Sequence, residues 1–334
     1  MENCGIDVAV KSSSVCILDK RGAVLLEQVV SSNEVGLASV LKGRRRMRCV
    51  LEAGPLAEWI SELLEQMGHE AVVIDARKAT GVIRTKKKTD RLDARNLARM
   101  GKTGWYTKVH RKSAQARVMR TFLQARQGLV RTALAQGSRI RGLLRAHGIK
   151  LGEVKESQFA SEVKRLACEK NQELWEMLEP LVEVRRQALR ASEQMRRRMV
   201  REASEGSIVC RLMTVPGVGP LTANAFVATI DDPKRFRSSD QVAAYLGLVP
   251  SVAQSGEVEI HGHITREGDG MLRSYLVEAA HVLLTRKRGT CRLKQWGLKL
   301  AKKKGHGKAR VAVARKLAAL LHHLWITGES YRAA

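Results

Sequence analysis

Four carboxylates stand out in a strongly basic chain. They are Asp7 in Cys4-Gly-Ile-Asp-Val, Glu52 in Val50-Leu-Glu-Ala-Gly, and Asp90 and Asp93 in Lys88-Thr-Asp-Arg-Leu-Asp-Ala-Arg. Acids held close together repel unless cations neutralise them. Hard divalent ions with oxygen ligands, Mg²⁺ above all, suit such a group. Two such ions can hold the attacking and leaving oxygens of a phosphodiester. The formal net charge is +27, so the chain also has the electrostatics to hold a polyanion. Together these point to metal-assisted phosphoryl transfer on nucleic acid. Two blander readings stand beside this one. Asp90 and Asp93 would also suit the positive end of a helix dipole with no further role. Gly5-Ile-Asp on a first strand also opens sugar kinases and actin-like ATPases, but those need later glycine-rich phosphate loops that this chain lacks.

The elements that must position these acids read as an α/β unit. Residues 3–10, 14–19 and 23–30 are short β-rich runs separated by tight polar breaks, predicting an antiparallel three-strand meander. A helix over 34–42 and a strand over 48–53 follow. A helix opened by Pro55 runs to about Met67, where proline suits a helix start. A strand over 71–74 and a helix from Asp90 to about Met100 complete the unit. The order β-β-β-α-β-α-β-α is that of a ribonuclease H-like (RuvC-like) fold, in which the first and fourth strands are neighbours. Asp7 and Glu52 would then lie side by side, and Asp90 and Asp93, three apart on a helix, share one face.

The excess charge is localised. Residues 94–152 hold 14 Lys/Arg and residues 279–328 hold 13, with no Asp or Glu in either stretch. A single charge run is usually a solvated face, but two acid-free stretches of this length predict nucleic-acid contact. Aromatic residues make up only 4% of the chain, which argues against base-stacking platforms. The six cysteines show no CxxC pairing and read as buried or idle thiols in a reducing cytosol. No apolar run reaches the ~18 residues of a membrane span.

Downstream, apolar positions at Val118, Phe122, Leu129, Ala133, Ile140 and Leu144 predict a helix over 113–147. A near-heptad stripe from Phe159 to Met199 predicts a coiled-coil hairpin or two-helix arm, broken or kinked at Pro180. Val215-Pro-Gly-Val-Gly-Pro matches the hairpin of a helix-hairpin-helix element, where Gly217 and Gly219 would let backbone amides reach a phosphate. A plain turn between helices is the simpler alternative. Lys302-Lys-Lys-Gly-His-Gly-Lys interrupts a basic helical tail. Ser255, before Gly256 in a loop or strand region over 249–264, could act as a nucleophile, although most serines are surface hydroxyls. His261 and His263 nearby could be a metal pair or acid/base groups, or simply solvated side chains.

At this point the residues resemble a known family: the DEDD transposases of one class of bacterial insertion sequences (the one-hundred-and-ten type), which are bridge-RNA-guided recombinases. Gly-Ile-Asp-Val, Glu-Ala-Gly and Lys-Thr-Asp-Arg-Leu-Asp-Ala-Arg resemble its RuvC-like domain. Val-Pro-Gly-Val-Gly, Tyr245-Leu-Gly-Leu-Val-Pro, Gln254-Ser-Gly and His-Ile-Thr-Arg-Glu-Gly-Asp-Gly-Met-Leu-Arg resemble its transposase domain. The resemblance covers nearly the whole chain, and its specificity lies in the combination. It implies that Asp7, Glu52, Asp90 and Asp93 bind metal, two Mg²⁺ per site. It implies that Ser255 attacks DNA to form a covalent phosphoserine link, in a composite site built across subunits. A structured noncoding RNA would guide the protein to donor and target double-stranded DNA. The protein would be a homodimer pairing into a tetramer at synapsis, cytoplasmic and nucleoid-associated, with no membrane partner. Glu257 and Gln254 depart from a second glycine and a serine common in the family, which leaves Ser251 as a fallback nucleophile.

The expected organisation is a RuvC-like domain over 1–110, a basic helical and coiled-coil segment over 111–205, and a mostly helical transposase domain over 206–330. The nucleic-acid-binding candidates are Lys86, Lys87, Lys88, Arg91, Gly217, Gly219, Arg266, Arg273, Lys302, Lys303 and Lys304. Two other functions fit the same residues. One is a Mg²⁺-dependent structure-selective nuclease that uses water, and the other a non-catalytic nucleic-acid-binding protein.

Overall fold

The computed structural model describes residues 1–75, 90–202, 206–255, 258–286, 289 and 291–332, with only the backbone of 90, 202, 253–255, 258, 259 and 261. The chain forms two compact units, Met1–Lys112 and Ser113–Ala334.

The first unit is built from β1 (Asn3–Val8), β2 (Ser12–Leu18), β3 (Val24–Ser31), α1 (Glu34–Leu41), β4 (Arg48–Glu52), α2 (Ala57–Gln66), β5 (Glu70–Ile74) and α3 (Asp90–Thr103). Its sheet has the order β3-β2-β1-β4-β5. The first three strands form the antiparallel meander, and β4 and β5 run parallel to β1. The β2–β3 turn is fixed by Asp19, whose carboxylate accepts from the amides of Arg21, Gly22 and Ala23 at 2.8, 2.6 and 2.8 Å. Side-chain alternation sends Cys4, Ile6, Ile17 and Leu51 to one face, where Leu37, Leu41, Ile60 and Leu64 of α1 and α2 close the core. The opposite face takes α3: Val50, Val72 and Ile74 meet Leu97, and Cys16 and Leu18 meet Ala94 and Ala98. The adjacency of β1 and β4 and the helices on both faces fit a ribonuclease H-like fold.

The second unit is mostly helical: α4 (Ala114–Ala146), α5 (Phe159–Lys170), α6 (Gln172–Glu202), α7 (Ile208–Met213), α8 (Pro220–Ile230), α9 (Ser239–Tyr245), the ribbon β6 (Pro250–Ser255) and β7 (Val258–Ile264), α10 (Gly270–Thr285), α11 (Arg292–Lys304) and α12 (His306–Thr327). Ser113 caps α4 by accepting from the Ala116 amide at 3.2 Å. Phe226, Leu276, Leu317 and Leu321 centre the core, and Leu123 of α4 and Met199 of α6 join it. A second cluster, with Ile140, Phe159, Trp175 and Val182, holds the far ends of α4, α5 and α6 together.

The arm therefore differs from its heptad reading. Phe159, Val163, Leu174, Ala188 and Met199 are buried by packing within this chain, while Met177 and Val184 are exposed. The break falls at Asn171, which is extended (φ −167°, ψ 135°), and α6 continues through Pro180. Among the described residues, no helix is long and apolar enough to cross a membrane.

Candidate active site

The carboxylates of the first unit are placed by register. In the parallel pair β1–β4, Gly5 lies opposite Val50 and Ile6 opposite Leu51. One step further on each strand come Asp7 and Glu52. On the antiparallel side Asp7 pairs with Ser14, which is buried. Asn3, Gly5 and Asp7 share a face by alternation, and α3 lies on that face in backbone contact. A Cβ added at Gly5 would sit 2.0 Å from the Ala94 carbonyl oxygen and 2.3 Å from the Ala98 amide nitrogen. A Cβ at Gly101 would sit 2.9 Å from Val50 Cγ2 and 3.4 Å from Asn3 Oδ1. From Gly101 over Asn3 to Ala94 over Gly5, α3 runs antiparallel to β1. Its first turn, with Asp90 and Asp93, therefore approaches the end of β1 that carries Asp7. Asp7 and Asp93 are half-buried and Glu52 is exposed.

Register thus brings Asp7 and Glu52 together, and the helix of Asp90 and Asp93 is laid on their face. The Asp90 side chain lies outside the described residues. Among the described residues no group of three or more metal-ligating side chains is assembled. The donor set itself, carboxylate oxygens alone, fits a hard divalent cation and would serve a thiophilic metal poorly.

Sequence reasoning missed three neighbours of this face. Ser14 is the cross-strand partner of Asp7. Gly5 permits the close approach of α3, and a glycine inside a strand pattern is itself the signal for such contact. Arg95, one turn into α3, donates twice to the Glu27 carboxylate on β3, at 2.7 and 2.8 Å. The Arg95 hydrogen bonds hold the Glu27 carboxyl below its usual range. On the same face, burial pushes the Cys16 thiol up to about 11. Of the basic candidates beside the acids, Arg91 is exposed, and Lys86, Lys87 and Lys88 lie outside the described residues.

In the second unit, Ser255 ends β6 and pairs with Val258 of β7. Its side chain, like that of His261, lies outside the described residues. Ser251, the fallback, donates its hydroxyl to the His263 carbonyl at 3.1 Å, across the ribbon. His263 is exposed. The ribbon is anchored by two glycine loops pressed together: a Cβ at Gly247 (φ +64°) would sit 2.1 Å from the Glu267 carbonyl oxygen, and one at Gly268 (φ +77°) 2.1 Å from that of Tyr245. Arg273 ties these loops, donating to the carbonyls of Leu246 at 2.9 Å and Glu267 at 2.6 Å. Expected to hold nucleic acid, it also serves the fold, through one terminal nitrogen. Arg266 beside it is exposed, with φ +58°.

The glycines of the hairpin element divide in the same way. Gly217 has φ +89°, and a Cβ there would meet the Ala279 carbonyl oxygen at 2.4 Å, so α10 explains this glycine without a ligand. Gly219 caps α8 with φ −98° and has open space around its Cα. Lys302, Lys303 and Lys304 end α11, all exposed, before Gly305 turns the chain at φ +82°.

Comparison with known proteins adds a separate line of support. A family model described as "Transposase IS116/IS110/IS902 family" matches residues 210–295. A second, a DEDD transposase model of the IS110 type, matches residues 4–149. The chain is 28% identical to the transposase for insertion sequence element IS1111A of Coxiella burnetii, over 98% of this chain and 90% of that protein. It is 30% identical to a transposase-type protein of Sinorhizobium fredii, y4pF/y4sB, over 82% of this chain and 71% of that one. A Pseudomonas aeruginosa protein named as a family 20 transposase is 27% identical over 99% of both chains.

Proposed function

Given that the chain belongs to the IS116/IS110/IS902 family of insertion-sequence transposases, we propose that it cuts and rejoins DNA through a covalent serine intermediate, with Mg²⁺ held by its acids and a noncoding RNA as guide. The observation that carries the metal part is the level placement of Asp7 and Glu52 on adjacent strands, under the helix that Asp90 and Asp93 open. These four residues would hold the metal, which supplies charge neutralisation at the scissile phosphate. Ser14 and the α3 backbone fix the Asp7 strand, and the Arg95–Glu27 pair fixes the helix against the sheet. Ser255 provides the nucleophile: its Oγ–P bond forms as the phosphate's bond to a sugar oxygen breaks. The hydroxyl proton goes to water, and the departing sugar oxygen takes up another. Because the phosphodiester is exchanged and not hydrolysed, reversal onto a second strand needs no external energy source.

Ser251 is the weaker candidate nucleophile because its hydroxyl already serves the His263 carbonyl. Gly219, Arg266 and Lys302–Lys304 are the candidates of the second unit for backbone contacts, joined by Arg91 and by Lys86–Lys88, which precede Asp90 in sequence. Base pairing by the RNA to donor and target would carry sequence recognition, which suits a basic chain with few aromatics. A homodimer that pairs into a tetramer, working in the bacterial cytoplasm, completes the reading.

The test is strand cleavage of duplex DNA carrying the element's ends, by protein purified with its RNA. Cutting is expected with Mg²⁺ and not with EDTA, and is expected to be lost in Asp7→Ala and Glu52→Ala. Undiminished cutting by Asp7→Ala would overturn the metal assignment, and cutting that survives ribonuclease treatment would overturn the RNA guidance.

A further inference from the structure

The outer face of α4 is a long exposed surface that the catalytic reading leaves unused. Ala125, Gly128, Thr132 and Ala135, spaced by three and four residues, are all exposed and form one continuous stripe. A Cβ added at Gly128 would meet nothing within 4 Å. Arg139 stands on this stripe, Arg131 flanks it, and Arg145 lies about 120° round the helix from Arg139, all within the exposed half of α4. All three are exposed, and none is in an ion pair among the described residues.

The chemistry of the occupant follows from charge. The helix holds no acid from Ala114 to Ala146. Two copies of this face brought together would oppose arginines with nothing to neutralise them, so a second copy of the chain is a poor fit. The partner must bring the negative charge itself. The exposed side chains of the stripe include no aromatic residue, which disfavours stacked single-strand bases. Small side chains keep the surface low enough for a sugar-phosphate backbone to lie along it. At 1.5 Å per residue the three arginines are separated by about 12 and 9 Å along the axis. That span of roughly 21 Å equals about six base pairs of duplex.

We infer that the outer face of α4 seats the phosphate backbone of double-stranded DNA, with Arg131, Arg139 and Arg145 as its contacts. This rests on the transposase reading and names a surface for its substrate. The contacts are to phosphates alone, so they hold DNA of any sequence.

The test measures binding of the full-length protein to a short B-form DNA duplex, and to an RNA duplex of equal length, across a salt series. The triple variant Arg131→Gln/Arg139→Gln/Arg145→Gln is compared with a charge-matched control, Lys11→Gln/Lys20→Gln/Lys42→Gln, altered at exposed lysines of the first unit. Each phosphate contact contributes about −0.9 to the slope of log K against log salt, so the α4 variant is expected to lose roughly 2.7 from that slope on DNA. The control is expected to keep it. An unchanged slope, or an equal loss in both variants, would overturn the proposal. A loss confined to the RNA duplex would assign the face to RNA and overturn it too. So would a changed oligomeric mass with an unchanged slope, which would assign the face to a second copy. If the wild-type protein bound no duplex, the transposase reading itself would fail, and this inference with it.

Discussion

Asp7 and Glu52 stand level on adjacent parallel strands, one residue beyond the paired Ile6 and Leu51. Strands whose paired residues are 45 apart in sequence therefore deliver two carboxylates to one end of the sheet, while α3 brings its acidic first turn across the same face. Removing either acid leaves the sheet's buried core untouched, since Asp7 is only half-buried and Glu52 is exposed. Asp7→Asn and Glu52→Gln are expected to fold with unchanged thermal midpoints and to bind DNA as tightly as wild type. Cleavage should fall at least about a hundredfold, the scale of several kcal/mol of lost charge stabilisation. Cleavage rates beside binding isotherms check this.

Gly5→Ala is expected to behave differently. Its Cβ would have to occupy space held by the Ala94 carbonyl and the Ala98 amide of α3. Backbone on both sides leaves no flexible group to yield, so α3 must lift from the sheet. A loss of about 1–3 kcal/mol is expected from overpacking. Activity should fall with it, because the acids of α3 move away from Asp7. Denaturant titration measures the first effect and cleavage the second.

The two glycines of the hairpin element separate packing from binding. Gly217→Ala combines a positive φ of +89° with a Cβ 2.4 Å from the Ala279 carbonyl oxygen, so it is expected to destabilise the second unit whether or not DNA is present. Gly219→Ala has an ordinary φ of −98° and open space, so stability should hold. A loss of DNA affinity in Gly219→Ala alone would identify the α8 amides as a phosphate contact.

The Glu27–Arg95 pair gives the sheet a pH dependence of known sign. The Arg95 hydrogen bonds lower the folded Glu27 pKa. Its contribution to stability is therefore complete above the unfolded value of about 4.3 and is lost as pH falls through the lower, folded value. The difference in thermal midpoint between wild type and Glu27→Gln should shrink on acidification below pH 4. A constant difference would show that Glu27 acts through packing alone.

Much of this was legible in the sequence, and the failures have physical causes. The element order follows from period-two runs and tight turns, and the adjacency of Asp7 and Glu52 from the ribonuclease H-like fold that this order matches. The near-heptad stripe from Phe159 to Met199 reads as a coiled-coil hairpin or two-helix arm. A seam that packs against α4 of the same chain has the same spacing, so periodicity alone could not name its partner. Arg273 was read as a phosphate ligand because an arginine in a glycine-rich motif can be either ligand or tie. That it ties the loops follows from the approach of the Leu246 and Glu267 carbonyls, which only the folded chain brings together. Val118 counts among the apolar positions that predict α4 and is 71% exposed, since one valine cannot set the phase of a long helix.

The most direct test is covalent trapping. Protein purified with its RNA is incubated with labelled donor and target DNA and Mg²⁺, then denatured and resolved by mass. A protein–DNA adduct is expected for wild type and for Ser251→Ala, and is expected to be absent in Ser255→Ala and Asp7→Ala. Cleaved DNA without an adduct, or an adduct that survives Ser255→Ala, would contradict the serine mechanism.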